Sequence, residues 1–179
     1  MLNTGTSALI IVDVQGKLAH RMHRKERLFE QLQKLIKGAQ ALSIPILWVE
    51  QNPEGLGPTI PEIADLLSDV PPIPKLSFSC CGCDRFMQAL RFLNRKQILI
   101  AGIETHVCVY QTAVDLLNLG YEVQVVADAV SSRTEENRQI GLSRIEDAGG
   151  ALTSTEMALF EMLKVAEGAQ FKEILNIVK

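Results

Sequence analysis

The sequence of 179 residues predicts an α/β fold in which helices cover both faces of a parallel β-sheet. Short runs that are almost entirely apolar, such as ALIIVDV at 8–14 and QILIAGI at 97–103, are typical of strands buried on both faces. These runs alternate along the chain with longer segments in which apolar residues recur at helical spacing. The length suits one substantial core, so we expect residues 1–179 to form a single domain.

The strands are predicted from apolar runs bounded by turn residues. In chain order they lie at 8–14, 44–50, 71–79, 97–103, 121–130 and, for a short one, from residue 151. The segment PPIPKLSFS at 71–79 is extended because each proline disfavours helical backbone in the residue before it. NPEGLGP, at 52–58, is predicted to be a loop by its glycine and proline content.

The helices are predicted from apolar residues three and four positions apart, as at Leu28, Leu32 and Leu35. In chain order they lie at 27–42, 61–69, 84–94, 106–119, 134–149, from Ser154 or Thr155 to 164, and at 169–179. Pro61 suits the first position of a helix, where its missing N–H has no partner to lose. Gly120 is placed to end the helix at 106–119, because glycine readily adopts the left-handed conformation of a helix terminus.

Composition and charge argue against several classes of function. The net charge of −3 gives no reason to expect binding to nucleic acid or to an anionic membrane surface. No apolar run approaches the roughly 20 residues of a membrane-spanning helix, and the N-terminal residues lack the basic segment of a signal peptide. The four cysteines, three of them clustered at 80–83, do not suit a secreted disulfide framework. We therefore predict a cytoplasmic protein.

Three chemically reactive side chains lie at the ends of predicted strands. Asp13 ends the first strand, Lys75 ends the extended stretch PPIPK at 71–75, and Cys108 opens the helix after the strand at 97–103. Ligands of parallel α/β sheets bind beyond the carboxyl ends of the strands, near the point where the strand order reverses. If the strands at 8–14 and 97–103 flank that point, Asp13 and Cys108 become neighbours.

An acid, an amine and a thiol at one edge of a sheet suit nucleophilic catalysis. A free thiol has a pKa of about 8.5 and is a weak nucleophile at neutral pH. A helix N-terminus capped by Thr105 and a nearby Lys75 ammonium would favour the thiolate of Cys108, and Asp13 would accept its proton. Each residue alone also has a structural interpretation, since a buried cysteine commonly packs in a core, an aspartate forms turns and a lysine is solvated.

Three motifs resemble those of one family. ALIIVDVQ, PKLSFS and AGIETHVCVYQTAVDLLNLGYEVQVVADAVSSR are similar, in this order, to segments of the isochorismatase-like cysteine hydrolases, which include nicotinamidases. EQNPEGLGPTIPEI and the terminal QFKEI resemble the subgroup of isochorismatase domain-containing proteins. The resemblance implies a three-layer αβα sandwich with a six-stranded parallel sheet and an Asp13–Lys75–Cys108 catalytic triad. It also implies a cis peptide between Ile103 and Glu104, with the N–H groups of Glu104 and Cys108 forming an oxyanion hole.

The sequence departs from the nicotinamidases at their metal site. The segment WVEQNPEGLGPT, around the end of the second strand, has none of the histidines that hold the metal in those enzymes. We therefore expect no metal, no other cofactor and a substrate other than nicotinamide. Cys108 counts against isochorismate cleavage, since the members that catalyse it commonly lack the cysteine. HRMH at 20–23 suits a solvated basic loop, and CCGC at 80–83 lacks the second ligand pair of a zinc site.

The sequence thus predicts a metal-independent cysteine hydrolase that cleaves a small amide or related substrate through a thioester intermediate. Two alternatives stay open: a family member that binds a ligand or partner without turnover, and a thiol redox sensor that uses Cys108 with the 80–83 cluster. The habits of the family imply a homo-oligomer, a dimer or larger. Residues near the strand ends are candidate substrate contacts: Gln15, Trp48, Gln51, Phe78, Thr105, Tyr110 and Arg133. The loop at 51–59 is a candidate lid.

Overall fold

The computed structural model describes residues 1–179 and confirms the predicted fold class. Its strands are β1 (Ser7–Val12), β2 (Ile46–Gln51), β3 (Ile73–Lys75), β4 (Gln97–Ile103), β5 (Glu122–Ser131) and β6 (Ala151–Thr153). They form one sheet in the order β3-β2-β1-β4-β5-β6, and every neighbouring pair is parallel.

Helices cover the sheet on both sides. They are α1 (Gly16–Ala19), α2 (Lys25–Ala41), α3 (Pro53–Leu56), α4 (Pro61–Ala64), α5 (Asp84–Leu93), α6 (Tyr110–Asn118), α7 (Glu135–Asp147), α8 (Thr155–Leu163) and α9 (Gly168–Val178). Of the longer helices, α2, α8 and α9 pack on one face, and α5, α6 and α7 pack on the other. No helix combines the length and apolar character needed to cross a lipid bilayer.

Each face of the sheet has its own hydrophobic core. Successive residues of a strand point to opposite faces, so Leu9 and Ile11 of β1 lie in one core, whereas Ala8 and Ile10 lie in the other. Every residue of β1 and of β4 is buried. This burial on both faces explains why the central strands are continuous apolar runs in the sequence.

Several segments differ from the predictions. The predicted helix at 61–69 is a single turn, α4, and only Ile73–Lys75 of the predicted extended segment at 71–79 forms a strand. The predicted loop at 52–58 contains one turn of helix, α3, which follows Asn52 in a left-handed conformation (φ 37°). The predicted helix at 106–119 is divided into a π-helical turn, Thr105–Val109, and α6. The Thr105 hydroxyl makes no hydrogen bond, so the prediction that Thr105 caps the helix is wrong. Instead the Val109 N–H reaches back five residues to the carbonyl of Glu104.

The strand order reverses between β1 and β4. The chain passes from β1 to β2 and β3 on one side and then returns to β4 on the other side of β1. The crevice at that reversal lies beyond the carboxyl ends of β1 and β4. Asp13 directly follows β1 in a left-handed conformation (φ 53°), and Cys108 lies in the π-helical turn after β4.

Gly102 allows β1 and β4 to pair closely beside this crevice. Its φ is +115°, and a Cβ atom added to it would lie 2.1 Å from the carbonyl oxygen of Val12. We expect Gly102→Ala to lower the free energy of unfolding by about 3 kcal/mol, about 1 for the positive φ and about 2 for displacing the strand. The control is Gly149→Ala, because Gly149 also has a positive φ (+96°) but no neighbour within 4 Å of an added Cβ. Urea unfolding measures both variants, and equal losses would contradict the steric role of Gly102.

Candidate active site

A buried ion pair lies at the carboxyl ends of β1 and β3. The Lys75 ammonium donates a 2.8 Å hydrogen bond to Oδ2 of Asp13, and the two side chains are 0% and 3% exposed. It also donates to Oε1 of Gln51 at 2.7 Å and to the carbonyl oxygens of Ser77 and Phe78 at 3.2 and 3.1 Å. An ammonium has three N–H groups, so these acceptors occupy all of them. Lys75 therefore acts on other groups through its charge.

The second carboxylate oxygen of Asp13 is free. Oδ1 is buried and accepts no hydrogen bond of normal geometry. Burial raises the pKa of Asp13, while the charge of Lys75 and interactions with the Lys75 ammonium and the Cys108 thiol oppose the rise. The thiol is thus close enough to interact with the carboxylate without a well-aligned hydrogen bond. A buried carboxylate with a raised pKa and a free oxygen is suited to accept a proton.

Cys108 is the third member of this cluster, and it is 7% exposed. Burial raises the pKa of its thiol, the negative charge of Asp13 raises it further, and the charge of Lys75 opposes both. The structure therefore gives no support to the prediction that Cys108 is a thiolate, since burial and the charge of Asp13 act against its ionisation. The cause is desolvation: the loss of water around the sulfur outweighs the attraction of a lysine whose N–H groups already have partners.

The backbone between β4 and Cys108 leaves a donor unused. The peptide bond between Ile103 and Glu104 is cis, and no backbone carbonyl accepts a hydrogen bond from the Glu104 N–H. The Glu104 side chain is fixed by Arg133, whose backbone N–H and Nε both donate to Oε1 at 3.1 Å. An unpaired backbone N–H near a nucleophile is the kind of group that binds an oxyanion.

The sequence matches the family model of the isochorismatase domain over residues 7–157, a range that includes all three members of the cluster. The chain belongs to the isochorismatase family. It is 36% identical over 176 residues to isochorismatase domain-containing protein 2 of Bos taurus, a match that covers 98% of this chain and 84% of that protein.

Solved structures of this isochorismatase-family fold superpose over nearly the whole chain. MAR1 ribonuclease from Caenorhabditis elegans is 35% identical, has a TM-score of 0.92, and covers 99% of this chain and 91% of its own. The YcaC gene product of Escherichia coli, described as an octameric hydrolase of unknown specificity, is 23% identical, with a TM-score of 0.93 over 98% of this chain and 88% of its own. The second likeness concerns the fold alone.

Two predicted substrate contacts of this isochorismatase-family protein instead bind other parts of the chain. Gln51 accepts from Lys75 and donates its Nε2 to the carbonyl of Leu76 at 2.8 Å. Gln15 is fully buried, and its Nε2 donates to the carbonyls of Gly57 at 2.7 Å and Gln51 at 3.1 Å. Both N–H groups of the Gln15 amide are thus occupied, so we do not count Gln15 as a substrate contact.

Trp48 and Tyr110 both make polar contacts with other parts of the chain. Trp48 lies in the core on the α2 side of the sheet and donates its indole N–H to the carbonyl of Val70 at 2.7 Å. The Tyr110 hydroxyl accepts a 3.2 Å hydrogen bond from Arg144, whose guanidinium lies 5.7 Å from the centre of the ring. Trp48 therefore lies in the opposite core from Cys108, whereas Tyr110 packs against the core that contains Cys108 and stays a candidate contact.

Three other predicted contacts border the cluster. Phe78 is 56% exposed, and its carbonyl binds Lys75. Thr105 follows the cis peptide and is fully buried, with a hydroxyl that has no partner. The Arg133 side chain is more than half exposed and reaches Glu104 through Nε alone. All three stay candidates for contact with a substrate.

The loop at 51–59 is attached to the body of the protein at several points. Oε1 of Glu50 accepts hydrogen bonds from the N–H and the hydroxyl of Thr59 at 2.7 and 2.8 Å, and the Gly16 N–H donates to the carbonyl of Pro58 at 3.1 Å. Together with the contact between Gln15 and Gly57, these bonds make the loop a wall of the site. Glu50 was not among the predicted site residues, and its position at the end of the predicted strand 44–50 was the only signal.

The histidines and cysteines do not gather into one cluster. No group of three or more histidine, cysteine, aspartate or glutamate residues is arranged to hold a metal ion. His23 faces Glu135 at 3.5 Å, and Nδ1 of His106 lies 3.0 Å from the Ser132 hydroxyl. All four cysteines are free, and burial raises the pKa of Cys80 to about 12.

Proposed function

We propose that this protein is a cysteine hydrolase in which Cys108 is the nucleophile, Asp13 the proton acceptor and Lys75 a fixed positive charge. The observation that carries the proposal is the buried Oδ1 of Asp13, which has no hydrogen-bond partner and lies close enough to interact with the Cys108 thiol. Membership of the isochorismatase family supports it. The substrate class is a small amide, cleaved at its C–N bond, or a related acyl compound.

In the proposed reaction, proton transfer accompanies attack. As the sulfur of Cys108 bonds to the substrate carbonyl carbon, its proton passes to Asp13 and the π electrons move to the carbonyl oxygen. The N–H groups of Glu104 and Cys108 hold that oxyanion, each contributing about 3 kcal/mol. Collapse breaks the C–N bond, and the departing amine takes the proton from Asp13. Water then attacks the thioester while Asp13 accepts its proton, and that proton returns to the sulfur as the acid leaves.

Lys75 contributes its charge to this sequence. The pair of Asp13 and Cys108 carries one negative charge whether the proton is on the sulfur or on the carboxylate. The Lys75 ammonium lowers the pKa of both groups, so it stabilises that charge in either place. The proton therefore moves between Asp13 and Cys108 without a change in the combined charge of these two groups.

We expect turnover to fall in acid as Asp13 becomes protonated. Because burial raises the pKa of Asp13, the loss begins at a higher pH than for an ordinary aspartate, whose pKa is about 4. Because the pKa of Cys108 is also raised, kcat/KM stays level through the ordinary thiol range near pH 8.5. Initial rates measured from acid to mildly alkaline pH test both the fall in acid and the level region near pH 8.5. A steep rise near pH 8 to 9 would instead indicate that a free thiolate attacks, at about its ordinary pKa.

The proposal is tested by a screen of small primary amides and esters without added metal, with release of ammonia or acid as the readout. Each active compound is repeated with Cys108→Ala. A short RNA belongs in the screen because the similar protein from C. elegans is described as a ribonuclease. RNA cleavage that survives Cys108→Ala would overturn the mechanism, and tight binding of a compound without product would favour the ligand-binding alternative.

We also propose that the protein forms a homo-oligomer, a dimer or larger. Leu76 and Phe78 are 79% and 56% exposed next to Lys75, and apolar surface of this kind favours contact with another subunit. Light scattering of the purified protein measures its molar mass, and the mass of a single chain would contradict this proposal. The single domain and the cytoplasmic location stay predictions from the sequence.

A further inference from the structure

Gln51 connects the ion pair to the wall of the site. Gln51 and Lys75 are directly paired residues of the parallel strands β2 and β3, so their side chains emerge on the same face of the sheet. Oε1 of Gln51 accepts from Lys75 at 2.7 Å, and Nε2 donates to the carbonyl of Leu76 at 2.8 Å. These partners fix the orientation of the amide, because the reversed amide would place N–H groups against the ammonium and an oxygen against a carbonyl.

The backbone of Gln51 is held as firmly as its side chain. Its N–H donates to Oε1 of Gln15 at 2.7 Å, and its carbonyl accepts from Nε2 of Gln15 at 3.1 Å. Gln15 is itself buried and bound to Gly57. Gln51 is therefore an acceptor held in place through both its backbone and its side chain.

Gln51 is also a neutral acceptor. Of the groups that accept from the Lys75 ammonium, Asp13 is the only charged one, and the contact with Gln51 is the shortest. A carboxylate in place of the amide would bring a second negative charge to Lys75 and compete with Asp13 for it. The amide holds the ammonium without that competition.

We propose that Gln51 is a positioning residue, which holds the Lys75 ammonium where its charge acts on both Asp13 and Cys108. This role rests on the proposed function and replaces the prediction that Gln51 contacts the substrate. It requires that Gln51 act through Lys75, so changes at Gln51 alter the ionisation of Cys108 even though the two residues share no hydrogen bond.

The test compares Gln51→Met and Gln51→Glu with the wild-type protein. Methionine has a similar length but forms neither hydrogen bond, whereas glutamate keeps the acceptor and adds a charge. Gln33→Glu is the matched control, since Gln33 lies on α2 in a groove between α2 and α9 and the substitution makes the same change in net charge. The readout is the rate at which iodoacetamide modifies Cys108, followed for the peptide that contains it as a function of pH. This measurement needs no substrate.

We expect the pH midpoint of modification to rise by about half a unit in Gln51→Met and by about one unit or more in Gln51→Glu, because a nearby charge shifts a pKa by about 1 to 3 units. Gln33→Glu leaves it unchanged. Turnover of any compound found in the screen falls about tenfold in Gln51→Met with little change in KM, as expected when binding is intact.

The outcomes separate this proposal from the proposed function. If folded Gln51→Met has the same pH midpoint of Cys108 modification as the wild type, the positioning role of Gln51 is overturned. The assignment of Cys108 as the nucleophile is not affected by that result. If Gln51→Met does not fold, a wild-type midpoint in Gln51→Glu overturns the positioning role instead. Midpoint shifts in a protein that hydrolyses no compound support the positioning role and count against the hydrolase. A Cys108 that iodoacetamide never reaches in the wild type contradicts both.

Discussion

Replacing Cys108 by alanine is expected to reduce turnover by on the order of 10⁴-fold, since loss of a nucleophile removes the covalent route altogether. The same change removes only one buried atom, so we expect the free energy of unfolding to fall by about 1 kcal/mol. Loss of activity without loss of structure is thus the expected signature. It is measured by steady-state rates on a compound from the screen and by urea unfolding of the same preparation.

The control for this variant is Cys81→Ala. Cys81 is a partly buried cysteine, and burial raises the pKa of its thiol to about 11, but it is not part of the ion-pair cluster. The Cys81→Ala variant should keep the wild-type rate of turnover. Retention of the rate in Cys108→Ala would exclude Cys108 as the nucleophile. Equal losses in both variants would instead favour the alternative in which Cys108 and the 80–83 cluster act together as a redox sensor.

Replacing Lys75 by methionine is expected to affect stability as strongly as activity. The ammonium is the only cation that binds Asp13, and both side chains are almost fully buried. Removing one partner of a buried ion pair typically costs about 3 to 5 kcal/mol, because the other charge stays in a dry environment. Turnover should be lost as well, since neither the carboxylate nor the sulfur would then have a counter-charge.

The stability of Lys75→Met should depend on pH in a defined direction. Without the ammonium, the pKa of Asp13 rises further above that of an unfolded aspartate, about 4. Between these two values the folded protein binds a proton that the unfolded chain does not. The variant is therefore more stable at the acid end of that range and loses stability as pH rises through it. Urea unfolding of wild type and variant at several pH values measures the difference.

A double variant, Asp13→Asn with Lys75→Met, completes this test. It removes both charges, so no uncompensated carboxylate stays buried, and we expect most of the lost stability to return while activity stays absent. If Lys75→Met loses less than about 1 kcal/mol at neutral pH, which is the level of an exposed ion pair, the buried pair described here is not formed in solution.

The fold was largely predictable because each strand produces a pattern of apolar residues within a short stretch of the sequence. The runs at 8–14 and 97–103 are almost entirely apolar since both faces of β1 and β4 contact a core. Ser154 was predicted as one of two residues that open the helix α8, and its hydroxyl accepts from the Met157 N–H as an N-cap does. The π-helical turn at Thr105–Val109 was not predictable, because it depends on the path of the backbone out of β4 and not on a local preference of those residues.

The list of reactive groups, Asp13, Lys75 and Cys108, came from residue type and from the rule that parallel strands present ligands at their carboxyl ends. Their states came from contacts between residues far apart in the chain. Burial raises the pKa of the Cys108 thiol although its neighbours suggested a thiolate, and hydrogen bonds between segments turn Gln15 and Gln51 from candidate substrate contacts into supports of the site. A sequence pattern records which side chains are apolar or charged along one strand or helix. Desolvation and hydrogen-bond partners depend instead on what other segments bring to the same place, and they exist only once those segments have packed together.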